Sequence, residues 1–378
     1  MKKVLLIAAS AGAGHIRAAE AIKTALESLD PGVQCPSIDC LRYTPLTFRK
    51  LYAGSYMSMA KRAPFLWGLL YTRLARQSPN GSAVKFRRFV QKMNTRAMVR
   101  YIREEAPDHI VCTHFLPAEI LSKFKAQDAF RASLSTVVTD YDIHSVWVHE
   151  NTDRYYVANE EVKWILREKG IPLERILITG IPVHPLFAET VDVGKIAASL
   201  DLDPKVLTVL VTSGGYGVGP IEDGIKAIMS AAKPLQVLVV AGRNTRLERR
   251  LAKLTSPERV KLLSFGYVDN MHELMGLADV AVTKAGGLTS AECLAKGLPM
   301  LIVSAIPGQE ERNSDFLLEA GAALRVRNPE SLAYKLRLLA ENRDRLDAMK
   351  EATRRVGSPN SAHLIAQDIF SRLAPATD

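Results

Sequence analysis

Short apolar runs alternate with amphipathic stretches along the whole chain. In the first half, this pattern predicts strands at Lys3–Ala8, His109–Cys112, Leu134–Thr139, Arg154–Val157 and Ile176–Thr179. Helical periodicity is found between some of them, over about Ile16–Leu29 and Glu161–Lys169. Strands that alternate with helices indicate a parallel sheet covered by helices on both faces.

The pattern starts again after a break near Pro182 and Pro185. It predicts a helix at Ile221–Ala232 and strands at Val206–Thr212, Val237–Ala241, Val260–Phe265, Val280–Thr283, Met300–Val303 and Ala323–Val326. We therefore expect an α/β protein of two doubly wound lobes, residues 1–185 and 186–357, that face a central cleft. Residues 358–378, with a helix at about Ser361–Leu373, are expected to pack back on the first lobe. Ligands of such lobes bind at the carboxyl ends of the strands.

The overall composition is that of a soluble globular protein. The chain has 378 residues, 47% of them hydrophobic, and suits two domains of ordinary size. No apolar run approaches the roughly 20 residues that span a bilayer. The apolar start at Val4–Ala9 is interpreted as a first buried strand rather than a signal peptide, because a glycine-rich loop and a polar helix follow it. Four cysteines without disulfide or zinc spacing favour the cytoplasm.

The positive charge is concentrated in one segment, Arg42–Arg103. Its 14 basic residues account for more than the formal net charge of +10, because no acidic residue lies between Asp39 and Glu104. Aromatic and aliphatic residues are interleaved with them, for example at Tyr56 and Trp67. This make-up predicts a surface for an anionic membrane. RNA binding and a helical subdomain with a solvated basic face are the alternatives, and no recognised nucleic-acid motif supports the first.

A glycine-rich turn follows the first strand and leads into a helix. It reads SAGAGH over residues 10–15, which is not the complete dinucleotide fingerprint. A neutral imidazole at the start of that helix can take a proton from a hydroxyl, so His15 is a candidate general base. The alternative is a histidine that only caps the helix.

Two further turns predict an anion site in the second lobe. Four glycines fall within residues 214–219, and Gly214, Gly215 and Gly217 are expected to contact phosphate. After Thr283 a glycine pair leads into a second helix start, whose dipole and Thr289 hydroxyl suit a diphosphate. Glu292, one turn later, can accept hydrogen bonds from a ribose, or can instead be a capping-box residue.

Polar residues also follow two other predicted strands. The PGQEERN segment at 307–313 offers amides and carboxylates for a sugar, with a solvated loop as the alternative. Asp140 and Asp142 spell D-x-D near His144 and His149, but this spacing does not favour a metal. We interpret Asp140 as facing an acceptor.

Several of these segments together resemble the diacylglycerol glycosyltransferases, which include monogalactosyldiacylglycerol synthases and processive diacylglycerol β-glucosyltransferases of glycosyltransferase family 28. The resemblance runs in order over nearly the whole chain. It is carried by SAGAGHIRAAE (10–20), TDYDIHSVWVH (139–149), TGIP (179–182), GGYGVGPI (214–221), KAGGLTSAE (284–292) and PGQEERN (307–313).

The resemblance implies a GT-B fold and inverting, metal-independent transfer of a hexose from a UDP-sugar to diacylglycerol or a glycolipid, with no cofactor. His15 matches the family's loop histidine, and Asp140 is expected to orient or replace it as the base. The donor-binding residues implied in the second lobe are Tyr267 and Val268 for uracil, Gly287, Leu288 and Thr289 for the diphosphate, Glu292 for ribose, and Gln309 and Glu310 for the hexose. Those implied for the acceptor are Gly14, His144 and Trp147. Ala13 departs from the family's more glycine-rich loop, and its methyl group is expected to narrow that loop.

The location implied is the cytoplasmic face of the cell membrane, where the enzyme would be peripheral. Other readings keep the fold but change the reaction. The acceptor can instead be a polyprenyl-linked sugar or a soluble molecule, and a UDP-sugar epimerase would use the same architecture. The identity of the hexose and the number of sugars added are left open by the sequence.

Overall fold

The computed structural model describes residues 2–10, 12–44, 95–212, 221–230, 234–303 and 308–373. The chain divides into two compact units. The first comprises residues 1–185, 306–309 and 360–378, and the second comprises residues 186–305 and 310–359. Most of the basic segment and the glycine turn at 213–219 lie outside the described residues.

The first unit is built on a six-stranded parallel sheet. Its strands are β1 (Val4–Ala8), β2 (Ser37–Asp39), β3 (His109–Cys112), β4 (Ser133–Val137), β5 (Arg154–Val157) and β6 (Ile176–Ile178). Their spatial order is β2-β1-β3-β4-β5-β6. All five residues of β1 and all four of β3 are buried, because helices cover both faces of a parallel sheet and select continuous apolar runs.

In the described part of the first unit, helices connect several of these strands, and a further helix returns from the end of the second unit. They span Ala13–Leu29, Thr95–Glu105, Phe115–Lys125, Glu160–Glu168 and Ser361–Leu373. The apolar face of Ala13–Leu29 includes Ile22 and Leu26, which are fully buried. It packs together with Val4 and Leu6 of β1 in one apolar cluster.

The C-terminal helix, Ser361–Leu373, packs against the helix Ala13–Leu29. Ile365 and Ile369 are spaced four apart and are fully buried in that contact. On the same helix, the Asp368 carboxylate accepts hydrogen bonds from Arg154 Nη2 at 2.6 Å and from the Tyr156 hydroxyl at 2.9 Å. The arginine holds the pKa of this carboxyl below its usual value against the opposing effect of burial. This helix is therefore held to the helix Ala13–Leu29 by apolar packing and to β5 by an ion pair and a hydrogen bond.

The second unit contains another six-stranded parallel sheet. Its strands are β7 (Thr208–Thr212), β8 (Leu235–Val240), β9 (Val260–Phe265), β10 (Val280–Thr283), β11 (Met300–Val303) and β12 (Ala323–Val326). Their order is β12-β11-β10-β7-β8-β9. Helices of its described part span Val193–Ser199, Ile221–Met229, Thr245–Leu251, Met271–Leu277, Gly287–Ala295, Gln309–Glu319, Pro329–Glu341 and Arg343–Val356.

The predicted α/β fold is confirmed, and the differences lie at element ends. The first helix begins at Ala13 rather than Ile16, and the helix from Ile221 ends at Met229 rather than Ala232. The sequence reading missed β2 and the helix Phe115–Lys125. β2 has only three residues and none is fully buried, so it lacks the apolar run that marks the other strands. Within the described ranges, no helix combines the length and hydropathy needed to cross a bilayer.

Candidate active site

Each sheet has a point where the order of its strands reverses. In the first sheet the chain passes from β1 outward to β2 and then returns to the other side of β1 as β3. In the second sheet it passes from β7 to β8 and β9 and returns beside β7 as β10. Loops at the carboxyl ends of the two central strands part at such a switch point and leave a crevice where ligands bind. The predicted site residues cluster at these two places.

His15 lies at the switch point of the first sheet, in the first turn of the helix that follows β1. Its Nδ1 lies 2.8 Å from the carbonyl oxygen of Thr113, which directly follows β3. The Thr113 hydroxyl donates in return to the carbonyl of His15 at 2.8 Å, and the Thr139 hydroxyl oxygen lies 3.1 Å from Nδ1. Three loops, after β1, β3 and β4, thus hold one half-buried imidazole.

These contacts determine which nitrogen of His15 carries the proton and which carries a lone pair. A carbonyl oxygen can only accept, so Nδ1 must carry the proton and Nε2 must present its lone pair. Burial lowers the pKa of His15 from 6.5 to about 4, and the hydrogen bond to Thr113 opposes this only in part. The ring is therefore neutral at physiological pH. The capping interpretation is wrong, because Gly12 is the N-cap and no side chain caps that helix.

A second imidazole, His114, lies beside His15. The ring centroids are 4.5 Å apart and the planes meet at 83°. Phe115 and Trp147 complete an aromatic cluster, with centroids 4.2 Å and 6.3 Å from that of His114. Sequence reasoning missed His114 and Thr113. The available signal was their position immediately after β3, at the edge of the sheet where His15 was expected.

The other residues predicted for the acceptor side are found nearby in the same unit. Asp140 is buried in the loop after β4, and Gly14 is half-buried in the first turn beside His15. His144 has a local structural task, since its Nδ1 accepts from the Val146 amide at 3.2 Å and caps a short 3₁₀ turn. Trp147 ends that turn and is 2% exposed.

No group of three or more His, Cys, Asp or Glu side chains in the described ranges is arranged to hold a metal ion. Asp142, His144 and His149 therefore form no metal cluster with Asp140 there. Independence from metal stays a prediction.

At the switch point of the second sheet, a helix begins directly after β10. It spans Gly287–Ala295, its N-cap is Gly286, and no side chain among the described residues bonds to its first amides. The amides of Gly287, Leu288 and Thr289 precede the first intrahelical donor, which is Ser290 bonding the Gly286 carbonyl at 2.9 Å. An uncapped N-terminus of this kind offers N–H groups and a partial positive charge to an anion.

Glu292 lies in the second turn of the same helix and is 3% exposed. It is six residues beyond the N-cap, whereas a capping-box carboxylate stands three beyond it, so the capping-box interpretation is wrong. The loop before the helix is fixed by Asn313, whose side-chain amide donates to the Ala285 carbonyl at 3.2 Å. The predicted phosphate contacts Gly214, Gly215 and Gly217 lie outside the described residues.

The remaining predicted donor residues flank this switch point. Gln309, which belongs to the first unit, and Glu310, which belongs to the second, open the helix Gln309–Glu319 that follows β11, so the chain is helical from Gln309 onward and does not form a loop there. Tyr267 and Val268 follow β9, two strands from β7 on the other side. Tyr267 is 60% exposed, and the Arg243 guanidinium lies 5.3 Å from its ring centroid. All predicted donor residues in the described ranges lie beyond the carboxyl ends of the strands.

Comparison with known proteins identifies the family. Residues 15–183 match the family model described as monogalactosyldiacylglycerol (MGDG) synthase, and residues 208–368 match the glycosyltransferase family 28 C-terminal domain. The chain is 31% identical to a processive diacylglycerol beta-glucosyltransferase of Bacillus subtilis, over 98% of this chain and 95% of that one. It belongs to the diacylglycerol glycosyltransferases of glycosyltransferase family 28. The protein is thus an enzyme of the hexosyltransferase class.

Solved structures show the same fold at lower identity. MurG of Acinetobacter baumannii is 16% identical with a TM-score of 0.65, and the match covers 98% of this chain and 100% of MurG. The MnaA–UDP structure from S. aureus is 18% identical with a TM-score of 0.63, over 99% of this chain and 97% of that one. These likenesses concern the fold. They agree with the GT-B architecture of two Rossmann-like units.

Proposed function

We propose that this enzyme transfers glucose from UDP-glucose to the free hydroxyl of diacylglycerol, with inversion at the anomeric carbon and without a metal. The geometry of His15 is the observation that carries the proposal. Its Nδ1 proton is committed to the Thr113 carbonyl, so a neutral Nε2 is available to an acceptor hydroxyl. Glucose is chosen because the relatives that match over nearly the whole chain are named glucosyltransferases.

The reaction is a single displacement. Nε2 of His15 takes the proton of the acceptor hydroxyl as its oxygen attacks the anomeric carbon. The bond from that carbon to the diphosphate oxygen breaks, and its electron pair leaves with UDP. A nucleotide sugar with an α linkage then gives a β product, in keeping with the β-glucosyl product in the relatives' names. Asp140, buried after β4, is assigned an orienting role.

The second unit is assigned to the donor. The free amides at Gly287–Thr289 and the helix dipole stabilise the diphosphate as its charge grows in the transition state. Preorganised amides of this kind supply what a divalent cation supplies in metal-dependent transferases. Glu292, in the next turn, accepts hydrogen bonds from the ribose hydroxyls. A uridine nucleotide is also named for MnaA, a protein of the same fold.

Membrane attachment is assigned to the basic segment Arg42–Arg103, on the cytoplasmic face. Its support is compositional, because 14 cations without an acidic residue are interleaved with aromatic side chains. Each cation near an anionic leaflet contributes about 1 kcal/mol of binding, so a few in contact hold the enzyme reversibly at the surface where its lipid acceptor resides.

The deciding experiment incubates the protein with diacylglycerol in anionic vesicles and, separately, UDP-glucose, UDP-galactose or UDP-glucuronate, with EDTA present. We expect a glucosyl lipid, whose β anomer is identified by NMR and whose number of sugars is read by mass. A polyprenyl-linked acceptor and a reaction without acceptor run in parallel. Preferred use of the polyprenyl acceptor, or conversion of the nucleotide sugar without any acceptor, would contradict the proposal.

A further inference from the structure

His114 stands at the same switch point as His15, yet the displacement above gives it no task. Its side chain is 2% exposed, and its ring centroid is 4.5 Å from that of His15. The nitrogens of a polar ring buried this deeply are expected to form hydrogen bonds, because each unpaired buried polar group costs about 1–3 kcal/mol.

One nitrogen of His114 is explained by the local backbone. His114 is the N-cap of the helix Phe115–Lys125, and its Nδ1 accepts a hydrogen bond from the Leu116 amide at 3.0 Å. An accepting nitrogen carries no proton, so the neutral ring must carry its proton on Nε2. Burial, with a smaller effect from His15, lowers the pKa of His114 well below 6.5, so the ring is neutral. The cap therefore fixes Nε2–H as a hydrogen-bond donor.

The other ring nitrogen, Nε2, has no hydrogen-bond partner in the described part of the chain. No polar atom there forms a hydrogen bond with Nε2 of His114, and the same is true of Nε2 of His15. The two imidazoles thus present complementary groups, since the Thr113 carbonyl leaves His15 with a lone pair and the Leu116 amide leaves His114 with a proton. A hydroxyl requires this combination, because its proton needs an acceptor and its oxygen accepts from a donor.

We propose that Nε2–H of His114 donates a hydrogen bond to the oxygen of the acceptor hydroxyl whose proton His15 removes. The inference rests on the proposed function, because it assigns a second contact to the same hydroxyl. His114 takes no proton in the reaction. It aligns a lone pair of the oxygen with the anomeric carbon and stabilises the negative charge that develops on the oxygen as its proton leaves.

Two substitutions separate this role from helix capping. His114→Asn places an amide oxygen near the position of Nδ1 and keeps the cap, since asparagine is a favoured N-cap residue, but it has no group at the position of Nε2. His114→Gln reaches the position of Nε2 with an N–H donor and loses the cap. Both variants remove the ring that packs against Phe115, so they are matched in lost aromatic contact.

We expect His114→Asn to lower kcat/KM for diacylglycerol by about 10-fold or more while its Tm and its KM for UDP-glucose stay near those of the wild type. His114→Gln is expected to unfold at a lower temperature but to recover kcat/KM to within about 3-fold of wild type when assayed well below its Tm. Full activity in the asparagine variant, or equal losses of activity in both variants, would overturn the proposal.

A binding measurement by NMR, which does not depend on turnover, completes the test. In histidine ¹⁵N-labelled protein, dioctanoylglycerol is expected to shift the Nε2–H resonance of His114, and a resonance that does not move contradicts the assignment. The wild type serves to separate the two hypotheses. If the wild type transfers no sugar to diacylglycerol, the proposed function is contradicted. If the wild type is active but His114→Asn and His114→Gln lose activity equally, only the role of His114 is contradicted.

Discussion

The two switch points of this protein are built from different chemical groups. In the first sheet, the loops after β1 and β3 bring together two imidazoles, each with one nitrogen bonded to the backbone. In the second sheet, the loop after β10 leads into backbone amides that no side chain in the described part of the chain caps. One fold plan therefore yields one site of backbone-held imidazoles and another of fixed backbone dipoles.

This difference matches what each half of the proposed reaction needs. Removing a proton from a hydroxyl requires a lone pair of known direction, which a ring held by Thr113 and Thr139 provides. Stabilising a departing diphosphate requires several donors that need no reorganisation, which the start of the helix Gly287–Ala295 provides. Substitutions at the two points should consequently change different kinetic constants.

The largest effect is expected at His15. His15→Ala should lower kcat by roughly 100-fold or more, because it removes the general base, while the Kd for UDP measured by calorimetry stays nearly unchanged. His15→Asn is the matched variant. It retains an N–H that can donate to the Thr113 carbonyl but has no basic nitrogen, so we expect a comparable loss of activity.

The control is His363→Ala on the C-terminal helix, where the ring Nε2 lies 3.4 Å from the Ser28 hydroxyl oxygen. This variant should keep the wild-type kcat. Full activity in His15→Asn would show that Nε2 is not the base and would transfer that role to Asp140. A weakened affinity for UDP in His15→Ala would contradict the division of tasks between the two switch points.

A smaller effect is expected at Glu292, and it concerns KM for the donor rather than kcat. Glu292→Ala should raise KM for UDP-glucose by about 10-fold, the equivalent of about 1.4 kcal/mol, because hydrogen bonds from a ribose to a buried carboxylate are lost. The KM for diacylglycerol should not change. Glu330→Ala, at an exposed position in the first turn of Pro329–Glu341, is the control. Unchanged donor kinetics in Glu292→Ala would remove this residue from the donor site.

The sequence was sufficient to predict the units that carry these sites. Buried parallel strands such as β3 and β10 are continuous apolar runs, and a glycine-rich turn after a strand marks a place where a ligand approaches the backbone. His15 and the Gly286–Gly287 turn were recognisable for this reason. β2 was not predicted, because a short strand with partly exposed residues lacks a continuous apolar run.

The roles of His114 and Thr113 could not be predicted in the same way. Neither belongs to a glycine turn, and the task of each depends on a contact between segments far apart in the chain. Thr113 matters because its carbonyl lies 98 residues along the chain from the imidazole that it holds. For His114 the decisive fact is which nitrogen accepts from Leu116, and this is a matter of ring orientation that no spacing of residues reveals.

The last and smallest expected effect concerns acid pH. Because the pKa of His15 is lowered to about 4, protonation should remove the base only near pH 4. Between pH 7.5 and 5.5, kcat/KM for diacylglycerol should therefore change by less than about 2-fold, whereas a histidine of ordinary pKa would cost about tenfold over that range. The measurement is a pH–rate profile of the wild type with saturating UDP-glucose.

Folding stability limits how far the profile can be followed. His109 is also buried and has its pKa lowered to about 4, while the unfolded chain binds protons near pH 6.5. As the pH falls from 6.5 towards 4, the unfolded state takes up protons that the folded state refuses, so stability is lost in that window. Circular dichroism at each pH separates this loss from the chemistry. A tenfold fall in kcat/KM by pH 5.5 in a fully folded enzyme would mean that His15 titrates as it would in water. The half-buried, backbone-held imidazole that distinguishes the first switch point from the second would then no longer explain the reactivity of His15.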